Sequence, residues 1–557
     1  MNSMNRRSVL LAGLGAAGAG ALAACSRSGS APALVSPSGP AVSAVDEQRV
    51  RTGRTHELTL TAARAKVDLG AGITPVTWAF SGRTPGRELR VPAGDTLAAT
   101  LSNQLPGRAT TSVHWHGIAL RNDMDGVPPV TQTAVRAGRD FTYRFTADTP
   151  GTYFFHPHVG VQLDRGLYAP LIVEDPREPL PYDEEWVVVL DDWLDGVTGT
   201  PDEVFAELRH GMGGTDTGGA GMDGTHMGED SGSPSGAPGH DMGHDMGDMG
   251  GTDMGGSGST GAASTAGSPS PAATGGAGHS FMLMGAESPL LGGDAGDVRY
   301  PYHLVNGRVP ADPEVFRAKP GKRVRLRLIN AGGDTAYRVA LGGHRLTLTH
   351  TDGFPVRHQQ VDTVLIGMGE RYDALVTLGD GVFPLVALAE GKNALGRALV
   401  RTGPGAAPAA TVRPKELDGM IMTASQLRAA EDVRLTQRKT DRVHRIELTG
   451  GMTSYDWAVN GKRFDMSHPA ANPITVERGE RVRLDFVNTT TMWHPMHLHG
   501  HTYQIGGSGP RKDTAIVLPK KTMSVFFDAD NPGRWMLHCH NAYHGEAGMM
   551  ALVGYRA

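Results

Sequence analysis

The densest chemistry in this chain is the run HCHNAYHGEAGM at residues 538–549, which sets His538, Cys539, His540, His544 and Met549 within twelve residues. Two imidazoles, a thiolate and a thioether suit one copper ion, because a His₂Cys set with a weak axial Met makes an electron-transfer copper site. Cys539, His544 and Met549 supply three of those ligands, so the second histidine must come from another segment. Side chains alternate across a strand, so His538 and His540 point away from Cys539, toward a different site. Three more segments carry paired histidines: His114-Trp115-His116, His156-Pro157-His158 and His494-Pro495-Met496-His497-Leu498-His499. His494 is assigned to Cys539, and alternation sends His497 and His499 elsewhere. Eight imidazoles then remain: His114, His116, His156, His158, His497, His499, His538 and His540. They suit three further coppers, with three ligands for each of two ions and two for the third. Because His538 and His540 flank Cys539, the backbone itself joins the two sites. The other histidines, among them His56, His303, His344 and His501, lack partner spacing and are expected to make ordinary hydrogen bonds.

The elements that position these residues repeat. Val91-Pro92-Ala93-Gly94 leads through DTLAATLS to Asn103, Lys319-Pro320-Gly321 through KRVRLRLI to Asn330, and Glu477-Arg478-Gly479 through ERVRLDFV to Asn488. The glycine-to-asparagine interval is nine residues each time, and polar and apolar residues alternate inside it, as in half-buried strands. A second repeat relates Pro150-Gly151 and its following His156-Pro157-His158 to Pro532-Gly533 and its following His538-Cys539-His540. The middle copy carries neither histidine pair. The expected fold is all-β: three Greek-key β-sandwich domains at 51–178, 179–405 and 406–557, the first and third sharing a metal site and the second acting as a spacer. Only brief helices are expected, at Pro201 to His210 and near Ala424 to Glu431.

Net charge is −5 with both signs well mixed, which gives no sign of nucleic-acid binding. The only cysteines are Cys25 and Cys539, so a metal-bound Cys539 leaves no disulfide. Residues 1–25 read as an export signal: Arg6-Arg7 precede an apolar run that ends in Leu22-Ala23-Ala24-Cys25, a lipoprotein-like box in which Cys25 would be lipidated. The expected location is the outer face of the cell membrane or the envelope, with membrane contact only through that anchor. The Ser/Ala/Pro/Gly-rich residues 26–50 read as a flexible tether. From 211 to 279 the middle domain is interrupted by a low-complexity insert, whose run GHDMGHDMGDMGGTDMGG offers methionine, histidine and aspartate to labile copper.

These four histidine segments resemble the copper signatures of the multicopper oxidases, the laccase-like family with three cupredoxin domains. The resemblance covers residues from about 55 onward, and runs such as SVHWHGIALRNDMDG, THTDGFPV, LIGMGERYD and FPLVALAEGKNAL are similar to the mycobacterial-type copper-resistance members. It implies four copper ions. The type 1 ion would be held by His494, Cys539, His544 and Met549, and the type 2 ion by His114 and His497. The type 3 pair would be held by His116, His156, His158, His499, His538 and His540. It also implies one-electron oxidation of a substrate coupled to four-electron reduction of O₂ to water, by a protein expected to be a monomer.

Asp125 stands where the family places a proton-donating acid. A second acid is often found directly after the last type 1 histidine; here that position is Gly545, and Glu546 follows one later. Met492 stands where copper-efflux members have a methionine that helps bind Cu(I), although the acid that accompanies it is replaced by Thr490, and a core role fits Met492 equally. The expected reductant is Cu(I), in copper detoxification. Phenols or Fe(II) are the alternatives, and a copper-buffering protein is a third reading from a different class.

Overall fold

The computed structural model describes residues 33–210 and 280–557. The export signal with Cys25, and the Met/His-rich insert expected at 211–279, lie outside the described residues. The three glycine-to-asparagine repeats become the same strand in three sandwiches. Asp95–Gln104, Arg323–Asn330 and Arg481–Asn488 each pair in parallel with the first strand of their domain, and antiparallel with a later one. Gly94, Gly321 and Gly479 enter these strands at φ of +90°, +79° and +89°, a left-handed turn that favours glycine. The closing asparagine does the same work in each copy. Asn103 Nδ2 donates to the carbonyls of Ala109 and Val135, Asn330 Nδ2 to those of Thr335 and Ile366, and Asn488 Nδ2 to those of Met492 and Val517. Each amide ties off the loop that follows its strand, which gives the nine-residue interval its physical reason.

Every domain pairs two sheets around its own apolar core: four strands on four in the first, six on six in the second, and six on five in the third. The paired histidines sit on adjacent strands of one sheet in each outer domain. His114–His116 lies antiparallel to Gly151–His156, with His114 opposite His156. His494–Leu498 lies antiparallel to Arg534–Cys539, with Met496 opposite Cys539 and His497 opposite His538. Helices are few: Pro40–Asp46, Pro201–His210 and Ala542–Ala547, with short 3₁₀ turns at Ala424–Gln426 and Glu431–Val433 where helix was expected.

One expectation is corrected. Of the segment 26–50, read as a tether, residues 33–50 are docked rather than loose. Val35 N donates to Tyr555 O at 2.8 Å, Ala557 N to Ala33 O at 2.9 Å, and Val35 and Val42 are buried in the third-domain core. Arg51 and Arg121 reach back to Asp46, and Arg49 to Asp148 of the first domain. Averaged composition hides two well-placed valines among Ser, Ala and Pro. Burying each contributes about 1.5–3 kcal/mol, enough to hold a short strap.

Candidate metal centre

Cys539 ends its strand fully buried, and the short helix Ala542–Ala547 turns His544 back beside it. Asn541 caps that helix by accepting from the amides of Tyr543 and His544. Cys539 Sγ lies 3.6 Å from His494 Nδ1 and 3.7 Å from His544 Nδ1, and the two Nδ1 atoms are 3.1 Å apart. Both outer nitrogens are occupied. His494 Nε2 faces Thr490 Oγ1 at 2.9 Å, and His544 Nε2 faces Asp297 Oδ2 at 2.9 Å. The Thr490 hydroxyl donates to Asn488 Oδ1 or Met492 O, so it accepts from His494, and both imidazoles turn Nδ1 toward the sulfur. Burial alone would press the His544 pKa down, yet Asp297 and Cys539 raise it to about 10, so the spot favours positive charge. Met549 is buried in the same core, and its carbonyl accepts from Cys539 N at 3.0 Å.

The remaining eight histidines converge where the first and third domains meet. Ligand atoms of His116, His156 and His540 lie within 4.8 Å of one another, as do those of His158, His499 and His538, and those of His114, His116 and His497. Four are anchored at their outer nitrogens by backbone carbonyls: His114 Nδ1 on Asp125 O, His156 Nδ1 on Pro157 O, His497 Nδ1 on Asp513 O, His538 Nδ1 on Cys539 O. The inner ones are not. Nε2 of His114, His156, His158 and His497, Nδ1 of His116, and both nitrogens of His540 are buried without a hydrogen-bond partner. Buried polar atoms are seldom left so, and an ion is one reason for them.

His499 and His538 make the case more sharply. Their Nδ1 atoms face Asp125 Oδ2 and a carbonyl, both acceptors, so each Nε2 carries a lone pair, and these face one another at 3.0 Å. A cation shared between them relieves that repulsion. Burial holds His116, His156, His499, His538 and His540 well below the usual histidine range, and His158 at about 3, so these rings are neutral and ready to ligate at neutral pH. Neutral imidazoles fit copper in the cluster, and two imidazoles with a thiol fit it at Cys539.

Asp125 is fully buried, with Oδ2 3.0 Å from His499 Nδ1 and Oδ1 3.2 Å from His114 Nδ1. Glu546 is partly exposed and shares a cavity of about 30 Å³ with His156, His158 and His538. Burial and the charge of Asp202 raise its pKa, and Arg209 opposes them. Met492 is only 1 % exposed, within the third-domain core. That burial fits the core role weighed for it. His56, His303 and His501 bond to Asp95, Tyr337 and Tyr555, as expected of unpaired histidines.

Asp297, Asp513 and Arg371 were not legible beforehand. Asp297 is 247 residues from His544 and belongs to the middle domain, whose described residues supply no histidine to either centre. Asp513 lies 3.2 Å from His116 Nε2. Nothing in their sequence spacing marks them. In the sequence Thr490 marks only the place of an absent acid.

Comparison with known proteins bears on the whole chain. Three family models described as "Multicopper oxidase" match residues 61–178, 278–405 and 437–556. The chain is 43% identical over 547 residues to "Multicopper oxidase MmcO" of Mycobacterium tuberculosis, covering 98% of this chain and 95% of that one. It is 27% identical to "Copper resistance protein A homolog" of Pseudomonas syringae pv. tomato, over 89% of this chain and 92% of the other. Among solved structures, a laccase from Botrytis aclada shares the fold at 22% identity and a TM-score of 0.66, covering 92% of this chain and 90% of that one. With its two buried copper-compatible centres and three matched segments, the chain belongs to the multicopper oxidase family of copper-dependent oxidoreductases.

Proposed function

We propose that this protein is an exported oxidase that takes single electrons from Cu(I) at the Cys539 centre and passes them to O₂ at the histidine cluster. The balance is four Cu(I), one O₂ and four protons giving four Cu(II) and two waters. In this reading His494, Cys539 and His544, with Met549 as a further partner, would hold one ion. His114 and His497 would hold a second, and His116, His156 and His540, with His158, His499 and His538, would hold two more. Bound copper supplies the one-electron storage and the oxygen chemistry. The observation that carries the reading is that Cys539, the last residue of its strand, stands between His538 on that strand and His540 directly after it, so its neighbours in sequence are ligand candidates of the other centre.

The chain's own residues orient and protonate. Asp297 and Thr490 fix the rings of His544 and His494. Asp125, against His114 and His499, is the proton donor on one side of the cluster. Glu546 serves the other side through its cavity, which has room for a water. Relatives named for copper resistance, and the Met/His-rich insert as a labile copper store, support Cu(I) as reductant. Export and a lipid anchor at Cys25 rest on the sequence. Among the described residues no helix is long and apolar enough to cross a membrane.

A phenol as reductant is the second reading. It is favoured by a largely apolar cavity of about 140 Å³ lined by Leu290, Leu365, Ile516 and Val517, because Val517 pairs directly with His494. Steady-state O₂ uptake by copper-loaded protein separates the two, with Cu(I), Fe(II) and a dimethoxyphenol at matched concentration. Fastest uptake with Cu(I) is expected, and faster uptake with the phenol would replace the proposal. Uptake with none of them would favour copper buffering.

A further inference from the structure

Among the described residues the middle domain contributes no histidine to either centre, yet its segment 367–371 reaches the cluster. Gly369 has φ +80°, and a Cβ there would stand 2.9 Å from His540 Cγ and 3.0 Å from His116 Cε1. The backbone of this domain therefore forms a wall directly behind two of the rings. The wall is braced: Gly369 N donates to Asn330 O at 2.9 Å, and Gly367 N to Glu370 Oε2 at 2.7 Å.

Arg371, fully buried, extends from the same segment and touches all three domains. Its Nε donates to Thr152 O at 3.1 Å in the first domain, and its Nη1 to Gly369 O at 2.9 Å in the second. Its two Nη atoms grip Asp513 of the third domain as a fork, at 2.7 and 2.6 Å. Asp513 passes that grip on. Its carbonyl accepts from His497 Nδ1 at 3.0 Å, and its Oδ1 lies 3.2 Å from His116 Nε2. The neighbouring Thr514 Oγ1 stands 3.1 Å from His116 Nε2 and 3.0 Å from His497 Nδ1. Gly117, next to His116, leaves room for the fork, since a Cβ there would meet Arg371 Nη2 and Asp513 Oδ2 at 2.3 and 2.6 Å.

We infer that Arg371 is a positioning residue for the histidine cluster, acting through Asp513 on His116 and His497, and that the ligand-free middle domain thereby aligns rings from both outer domains. The inference rests on the copper reading above. Lysine keeps the charge but cannot make the two-pronged grip, so Arg371→Lys in the full chain tests alignment rather than charge. Purified protein is stripped, reloaded with copper and compared with the unaltered chain. The measurements are copper per chain, chelator competition, electron paramagnetic resonance of the ion at His114 and His497, thiolate-to-copper absorption at Cys539, and melting temperature.

Loss of an outer partner of this kind costs about 10–100-fold in metal affinity. That loss is expected at the cluster, with an altered resonance signal and unchanged Cys539 absorption. Unchanged cluster affinity and signal would overturn the inference, as would an equal loss at both centres. Should Arg371→Lys not fold, Thr514→Val is read the same way, with about a 10-fold loss at the cluster expected and no change overturning it. Failure of the unaltered chain to take up copper would instead defeat the copper reading itself.

Discussion

The two centres hold their imidazoles in opposite senses. Around Cys539 both rings turn Nδ1 inward and are anchored at Nε2 by side chains, Thr490 and Asp297. In the cluster His114, His156, His497 and His538 turn Nε2 inward and are anchored at Nδ1 by backbone carbonyls. A carbonyl is fixed by the fold and is the same for every residue type, whereas a side-chain anchor can change by a single substitution. The Cys539 centre is thus open to tuning, and the cluster is built to stay constant. His116 departs from its neighbours: its Nε2 meets Thr514 and Asp513, and its Nδ1 is the free atom.

This contrast can be broken outright by Cys539→Ser, which removes the thiolate. Blue absorption and O₂ uptake are expected to vanish while the cluster retains its copper, as metal analysis would record. Asp125→Asn removes the proton source proposed for the cluster side. O₂ uptake should fall by about 10²–10⁴-fold, with absorption at Cys539 unaltered. Asp297→Asn acts on the other centre, and a loss of about 10–100-fold in copper affinity or activity should be confined to the Cys539 site, visible as a shifted blue band.

The smallest effect on either centre is expected from Asp373→Asn, far from both in function. Against the opposing effect of burial, Arg325 and Arg327 hold the Asp373 pKa at about 2, below the ordinary carboxylate value. Its ionised form therefore stabilises the fold fully above the unfolded carboxylate's titration, and that contribution is lost as pH falls toward 2. Breaking such a buried pair costs about 3–5 kcal/mol. Acid-unfolding curves should show the variant less stable at neutral pH and less sensitive between pH 4 and about 2, with both copper spectra intact.

Much of this was legible in the sequence, for reasons the structure makes plain. The sandwich repeats were visible because each depends on a turn glycine and a clasping asparagine at fixed separation. The histidine pairs were visible because a strand's two-residue period puts alternate rings on one face. Asp297, Asp513 and Arg371 are single residues contributed by separate domains, and only folding brings them beside the rings they orient. Met492 was ambiguous because a methionine two residues before a ligand suits a core as readily as a metal. The strap at 33–50 was missed because composition is an average, and docking there depends on two valines.

That strap also gives the molecule a load path. Tension applied to the chain at residue 33 falls first on the bonds joining Val35 to Tyr555 and Ala33 to Ala557, in the domain most distant along the sequence. The backbone contacts at Val35 lie along the strand Met550–Tyr555, whose partner strand ends in Cys539. A pull at the beginning of the chain is therefore borne by the sheet that carries the thiolate, and the first domain feels it only after that seam has parted.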